Sequence, residues 1–344
     1  RLAETVERWQ QWLGVEPEVI AYDLHPGYES TRLARQRTGV EGIAIQHHHA
    51  HMAAVLAEHK TDGPALGLIW DGTGAGGDGT AWGGELLFGD TGSVQRLATF
   101  RPIPLAGGER AIREPWRLAL ALLDDAFDHA PPLTAIPLFD QIDVGSRERV
   151  RALLSAEDLC VKAHGVGRYF DAVGALLLMR PFATFQGELA LGLNFLCSEN
   201  TAEPYRFDLE RDETPWKLDM RPAVRELVED LLDGSTPSAI AGRFHATLVE
   251  AGVCLVNDGI RLAVTENGVG NSGDDGLGAG PDRARAGGQK PTVVLGGGCF
   301  QNRILLEELE RRLAVDCRVL RPLRVPPGDG GIALGQALIA SAMT

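Results

Sequence analysis

Residues 64–70, PALGLIW, form an apolar run that stops on Asp71-Gly72-Thr73-Gly74, and this pairing directs the chain toward an α/β sheet. A short buried strand that delivers an acidic residue and a glycine turn at its C-terminal end is how open α/β sheets present ligands. Alternating patterns surround it. Helices are predicted over 1–14, 29–37 and 47–60, with strands over 18–22, 42–45 and 81–88, and such alternation implies a parallel or mixed sheet. The stretch 71–80 is dense in glycine, so it reads either as a flexible hairpin or as a turn whose successive N–H groups face an anion. Further helices are predicted over 110–126, 166–179, 219–233 and 237–262. Residues 264–290, rich in Gly, Asp and Asn, are expected to be a mobile surface insertion. The fold resumes with a strand over 292–295 that runs into Gly296-Gly297-Gly298-Cys299-Phe300-Gln301-Asn302 and a helix over 303–313, a strand–turn–helix suited to a nucleotide or phosphate. No Gly-Lys-Ser/Thr follows, so it is not a P-loop.

Four of the nine histidines fall within five residues, in Gln46-His47-His48-His49-Ala50-His51. On a helix His47 and His51 project from one face, a metal-ligand spacing, while His48 and His49 point elsewhere. Residues 52–60 carry strong helix formers without Gly or Pro, which supports the helix. The competing reading is a histidine-rich helix whose rings are capped or solvated; a tag remnant would lie at a terminus. His59, near the helix end, is expected to meet terminal carbonyls or solvent. A later turn carboxylate would complete a mixed nitrogen and oxygen site. Asp329, in Pro326-Pro327-Gly328-Asp329-Gly330-Gly331, reads locally as an N-cap of the last helix, 332–343. Cys299 has no histidine near it in sequence and reads as a small packed residue before a nucleophile.

The bulk composition narrows the partners. The 344 residues allow one large domain or two ordinary ones, and 44% hydrophobic with 23% charged residues is ordinary for a globular protein. The net charge of −14 argues against a nucleic-acid partner, since phosphate binding relies on Lys and Arg. No uninterrupted apolar run has the length of a membrane span, so no membrane partner is expected. Five widely spaced cysteines without a C-x-x-C pair read as reduced thiols, and with no signal segment the expected location is cytoplasmic. A chain that opens on Arg1 is expected to be a piece of something longer.

Taken together, Ala21-Tyr22-Asp23-Leu24-His25-Pro26, the histidine segment, Asp71-Gly72-Thr73-Gly74 with Asp78-Gly79-Thr80, residues 107–117 (GGERAIREPWR), residues 167–173 (GRYFDAV), residues 297–302 and residues 326–335 resemble HypF-type carbamoyltransferases, in order and along nearly the whole chain. The resemblance implies their C-terminal transferase region, with the actin/Hsp70-like (ASKHA) ATPase fold shared with tRNA threonylcarbamoyltransferases. That is an α/β fold of two subdomains with a nucleotide and metal cleft between them. Here 1–62 would be the remnant of the first subdomain, without its first β-hairpin, and 63–344 the second. The family's single divalent metal, zinc or iron, would fall to His47, His51, Asp71 and Asp329. Its ribose contact would be Asp171 and its nucleotide-contacting asparagine Asn302. Gly72, Thr73, Gly74, Gly297 and Gly298 would line the phosphates and base. Gly187 joins them, in Gln186-Gly187-Glu188 where the family reads Glu-Gly-Gln. The implied reaction carries a carbamoyl group from carbamoyl-adenylate, made from ATP, to the C-terminal cysteine thiol of HypE, toward the cyanide ligands of nickel-iron hydrogenase. The implied partners are HypE and the adenylate-forming YrdC-like module of the full-length family. Two alternatives stand beside this one: O-carbamoylation of a small-molecule hydroxyl, and a nucleotide-binding fragment inactive on its own.

Overall fold

Strands and helices alternate much as the apolar patterns dictate. The computed structural model describes residues 1–156, 159–197, 202–268 and 290–344, with side chains of the long tenth helix described to Ala263. The first part runs α1 (Leu2–Leu13), β1 (Val19–Asp23), α2 (Glu29–Gln36), β2 (Glu41–Ile45) and α3 (His47–Glu58). Then come β3 (Ala65–Ala75), β4 (Ala81–Gly89), β5 (Val94–Phe100), β6 (Ile103–Leu105), α4 (Arg110–Arg113), α5 (Trp116–Ala126), α6 (Val144–Leu154) and β7 (Val161–Ala163). The remainder is α7 (Val166–Leu178), α8 (Glu188–Leu196), β8 (Asp208–Glu210), β9 (Trp216–Asp219), α9 (Arg221–Leu232), α10 (Pro237–Gly268), β10 (Thr292–Gly296), α11 (Arg303–Leu313), β11 (Arg318–Leu320) and α12 (Ile332–Met343). Of the expected insertion 264–290, residues 269–289 lie outside the described residues.

A mixed central sheet has the order β11-β10-β3-β4-β5-β9-β8, with β7 joining β4 and β6. β10 pairs β3 in parallel and β4 pairs it antiparallel, so β3 is central and its Leu66, Leu68 and Trp70 are buried. β1 and β2 form a separate parallel pair whose register sets Asp23 opposite Ile45, just before the histidine helix. The C-terminal helix α12 lies across α3 and β1. The helices meet closely because residue 335 is glycine: a Cβ there would sit 1.9 Å from the Ala50 carbonyl oxygen.

Three expectations are corrected. The strand predicted to end at Trp70 continues to Ala75, with a register shift against β4 between Trp70 and Gly74, so Asp71-Gly72-Thr73-Gly74 is a bulged strand and not a loop. Glycine allows this: a Cβ at Gly74 would lie 2.7 Å from His48 Cε1 and 2.8 Å from His47 Cδ2. The helix expected over 110–126 breaks into α4 and α5 at Glu114-Pro115, because a residue before proline is disfavoured in the α region and Glu114 takes φ −118°, ψ 67°. Finally, α10 does reach the length and hydropathy of a membrane span over Pro237–Ala263, although charges interrupt it. Within the fold 67% of its most apolar window is buried, and it packs on α9, α11, β3 and β4, which accounts for its apolarity as core.

Candidate metal centre and cleft

Three chain segments converge on one point. α3 begins at His47, where the Gln46 side-chain oxygen accepts the His49 N–H at 2.7 Å and fixes the first turn. One turn separates His47 from His51, and both rings are buried, with centroids 4.9 Å apart. The bulge in β3 brings in Asp71, and the short 3-10 turn Asp329–Gly331 before α12 brings in Asp329. One donor atom from each of His47, His51, Asp71 and Asp329 lies within 4.8 Å of every other. His47 Nε2 is 3.3 Å from Asp71 Oδ2 and 3.6 Å from Asp329 Oδ1. His51 Nε2 stands at 3.4 Å and 3.8 Å from the same two oxygens.

These separations are those of ligands around an ion. Bonds of ~2.1 Å to nitrogen and oxygen in a tetrahedron give ligand edges of about 3.4 Å. His51 Nε2 is buried without a hydrogen-bond partner, which a lone histidine would not tolerate cheaply and a cation would satisfy. Imidazole nitrogens with carboxylate oxygens suit zinc or iron. Asp329 makes no capping hydrogen bond, in contrast to its local reading as an N-cap, and its side chain is 70% exposed. It thus forms the open side of the cluster.

A fifth residue, Asp23, orients the centre. His47 Nδ1–H donates to Asp23 Oδ2 at 2.7 Å, and Asp23 Oδ1 accepts the His25 backbone N–H at 2.7 Å. This leaves His47 Nε2 as the ligand nitrogen, the usual carboxylate–histidine arrangement behind a metal. Burial disfavours a charged His47, but its hydrogen bond to Asp23 and the adjacent carboxylates of Asp329 and Asp71 override it and raise its pKa to about 12. Burial would likewise raise Asp71; His47 and His51 instead hold it well below the ordinary carboxylate range. Asp23 was not foreseen as a site residue, although the Asp23-Leu24-His25-Pro26 turn was its visible signal.

The remaining histidines have other work. His48 is fully buried and held neutral by burial and by the neighbouring His47 charge. His49 Nε2 bonds the Asp90 carbonyl at 2.8 Å. His59, expected to meet terminal carbonyls or solvent, instead reaches the Arg321 carbonyl at 2.8 Å, 262 residues away in sequence. Beside it Glu58 accepts the backbone N–H groups of Leu323 (3.0 Å), Arg324 (2.5 Å) and Val325 (3.3 Å). Although burial works the other way, these bonds lower the Glu58 pKa. The end of the histidine helix therefore grips the segment that leads to Asp329.

A cleft of about 990 Å³ opens onto the centre, and Asp71, Thr73, Gly74 and Asp329 line it. The glycine-dense turn forms one wall and is not loose: Asp78 Oδ1 accepts from Thr80 N–H (3.0 Å), Thr80 Oγ1 (2.7 Å) and Trp82 Nε1 (3.0 Å), while Arg96 clamps Asp78 and the buried Glu85. Opposite stand His25 and Tyr28, with stacked rings 4.3 Å apart. Gly187 starts α8 at a positive φ of 82°, next to Gln186, which lines the cleft.

The other expected nucleotide contacts lie apart from this cleft lining. Asp171 is buried, its Oδ2 paired with Arg168 Nη2 at 3.0 Å, while the Arg168 Nε and Nη1 atoms lack hydrogen-bond partners. Burial raises the Asp171 pKa against the pull of Arg168. Gly298 sits against Asp71 Oδ1, and the Gly297 backbone lies against Trp70. Asn302 Oδ1 caps α11 through the N–H groups of Ile304 (3.1 Å) and Leu305 (3.2 Å), and its amide donates to His245 Nε2 at 2.9 Å. Desolvation pushes the Cys299 thiol well above its ordinary pKa, which disfavours a thiolate nucleophile.

Fold and site together define a Kae1-like α/β domain with a histidine–aspartate cluster at the mouth of a cleft. The family model described as "HypF Kae1-like domain" matches residues 1–58, and "Carbamoyltransferase, Kae1-like Domain, second subdomain" matches residues 67–273 and 275–336. The chain belongs to the HypF carbamoyltransferase family. It is 36% identical to carbamoyltransferase HypF2 of Cupriavidus necator over 98% of this chain and 42% of that protein, and 36% identical to HypF of Rhodobacter capsulatus over 95% and 40%. A HypF homolog of Cupriavidus necator is 33% identical, covering 99% of this chain and 82% of that one. Full-length HypF crystallised in a phosphate- and nucleotide-bound form superposes with a TM-score of 0.83 at 33% identity, over 99% of this chain and 41% of that one. The chain thus spans less than half the length of most of these relatives.

Proposed function

We propose that this chain transfers a carbamoyl group from carbamoyl-adenylate to the C-terminal cysteine thiol of HypE, in the synthesis of the cyanide ligands of nickel-iron hydrogenase. The observation that carries the proposal is the convergence of His47, His51, Asp71 and Asp329 at the mouth of a cleft, in a chain of this family. Those four residues would hold one divalent metal, zinc or iron. When bound, that metal supplies Lewis-acid polarisation of an oxygen on the donor.

The chain's own residues supply the positioning. Asp23 fixes the His47 ring, and the Glu58 contacts place the segment leading to Asp329. Asp171, held by Arg168, would serve the ribose hydroxyl that the family resemblance assigns to it, and the backbone at Thr73 and Gly74, which line the cleft beside Asp71, would face a donor phosphate. In the reaction the acceptor sulfur bonds to the carbamoyl carbon, the bond from that carbon to the adenylate phosphate oxygen breaks, AMP leaves, and the thiol proton passes to solvent. Crystallisation of a HypF relative with phosphate and nucleotide supports a nucleotide donor.

The test supplies synthetic carbamoyl-adenylate and a peptide ending in cysteine to the purified chain, and follows AMP release and thiocarboxamide formation. Transfer is expected, and His47→Ala and Asp329→Ala are each expected to lose most bound metal by elemental analysis and most transfer. Unchanged metal content in both variants would overturn the ligand assignment. Metal-loaded chain that never carbamoylates the peptide would overturn the reaction.

A further inference from the structure

We infer that Arg113 anchors the terminal carboxylate of the acceptor, so that the cleft reads a chain end and not merely a thiol. The inference rests on the proposed transfer to a C-terminal cysteine. Arg113 is the one Arg or Lys among the described residues lining the cleft, whose other charged groups are the carboxylates of Asp71, Glu109 and Asp329. An anionic acceptor enters such a cleft only if a cation receives it.

Neighbouring arginines show why Arg113 is available. Arg110 Nε and Arg117 Nε both bond Glu114, at 2.6 Å each, and Arg117 Nη1 also reaches the Ala106 carbonyl at 3.2 Å. Among the described residues the Arg113 guanidinium has no ion-pair or hydrogen-bond partner, although its backbone is fixed: the Arg113 carbonyl accepts the Ala183 N–H at 3.0 Å, and Trp116 N–H donates to Pro181 at 3.4 Å. The break at Pro115 that ends α4 turns this residue onto the cleft wall. Leu105, Ile112, Val161 and Phe185 also line the cleft and give it apolar surface.

Asp71 and Asp329 face this cleft, and so do Thr73 and Gly74 of the turn expected at the donor phosphates, whereas Asp171, Gly297, Gly298 and Asn302 are not among its lining residues. Donor phosphate and acceptor would therefore meet at the cluster in this cleft. In a C-terminal cysteine the thiol and the carboxylate belong to one residue, so anchoring the carboxylate limits where the sulfur can reach. A planar guanidinium receives a carboxylate through two parallel hydrogen bonds, which fixes orientation as well as charge.

The test uses two tetrapeptides identical but for the last group, cysteine acid and cysteine carboxamide, with transfer and peptide binding measured on the full chain. Wild type is expected to favour the acid by about 10–100-fold in KM and in binding, the range of a charged hydrogen bond. Arg113→Ala should erase that preference while leaving metal content and the donor KM unchanged, and Arg113→Lys should keep part of it. Equal treatment of acid and amide by the wild type would overturn the inference. So would a raised donor KM in Arg113→Ala with the acid preference intact, since the guanidinium would then serve the donor phosphate. If neither peptide is carbamoylated, the transfer proposal fails separately, and the binding comparison alone decides the role of Arg113.

Discussion

Asp23 touches no ligand position directly, yet the centre depends on it, because it holds His47 by one oxygen and the His25 backbone by the other. Asp23→Asn keeps the shape and removes the charge, and should weaken metal binding about 10–100-fold, the usual cost of losing such a partner. Proton competition adds a signature. Without a cation His47 is protonated at neutral pH, its pKa raised to about 12 against the opposing effect of burial, and a metal must displace that proton. The sign follows: fewer protons compete as pH rises, so apparent affinity should tighten between pH 6.5 and 8 by about tenfold per unit for one displaced proton. Competition titrations with a metal indicator check both effects. Affinity independent of pH would contradict the coupling. His47 and His51 were legible in the sequence because helical spacing alone places them together, and Asp71 and Asp329 came from the family resemblance. Asp23 and Arg113 were not, since their meaning depends on which neighbours lie across space.

Among elements, α3 does two jobs. Its first turn presents His47 and His51, and its last residue, Glu58, gathers three N–H groups of the segment before Asp329. Glu58→Ala frees those donors at a half-exposed site, so stability should fall by only about 1–2 kcal/mol, measured by urea unfolding. Metal affinity should fall more noticeably, because Asp329 loses its fixed approach. A variant with normal metal binding would show that α12, packed on α3 through Gly335, places Asp329 unaided. Apolar runs made β3, β10 and α3 readable. β5 escaped notice because its outward pattern is broken by Arg96, whose charge is consumed by buried Glu85. The 71–74 segment looked like a turn because glycine marks turns and bulges equally.

The whole molecule closes the site from both ends of the chain: His47 and His51 come from α3, Asp71 from the central sheet, and Asp329 from the approach to α12. Sequence distance hides such a site, since 258 positions separate Asp71 from Asp329 (329 − 71). A cation bound across these segments ties the small β1–β2 sheet with α3 and α12 to the large sheet, so it should stabilise the fold as a unit. Mass action gives about 2.7 kcal/mol at a hundredfold excess over Kd, enough to raise Tm by several degrees. Thermal scans with and without zinc or ferrous iron should show that rise in the wild type. Asp329→Ala should lose most of it while keeping the metal-free Tm within a few degrees, because the Asp329 side chain is 70% exposed and caps no helix. A wild-type Tm indifferent to either metal, at concentrations where the metal is bound, would mean that the cluster does not bridge the two parts of the fold.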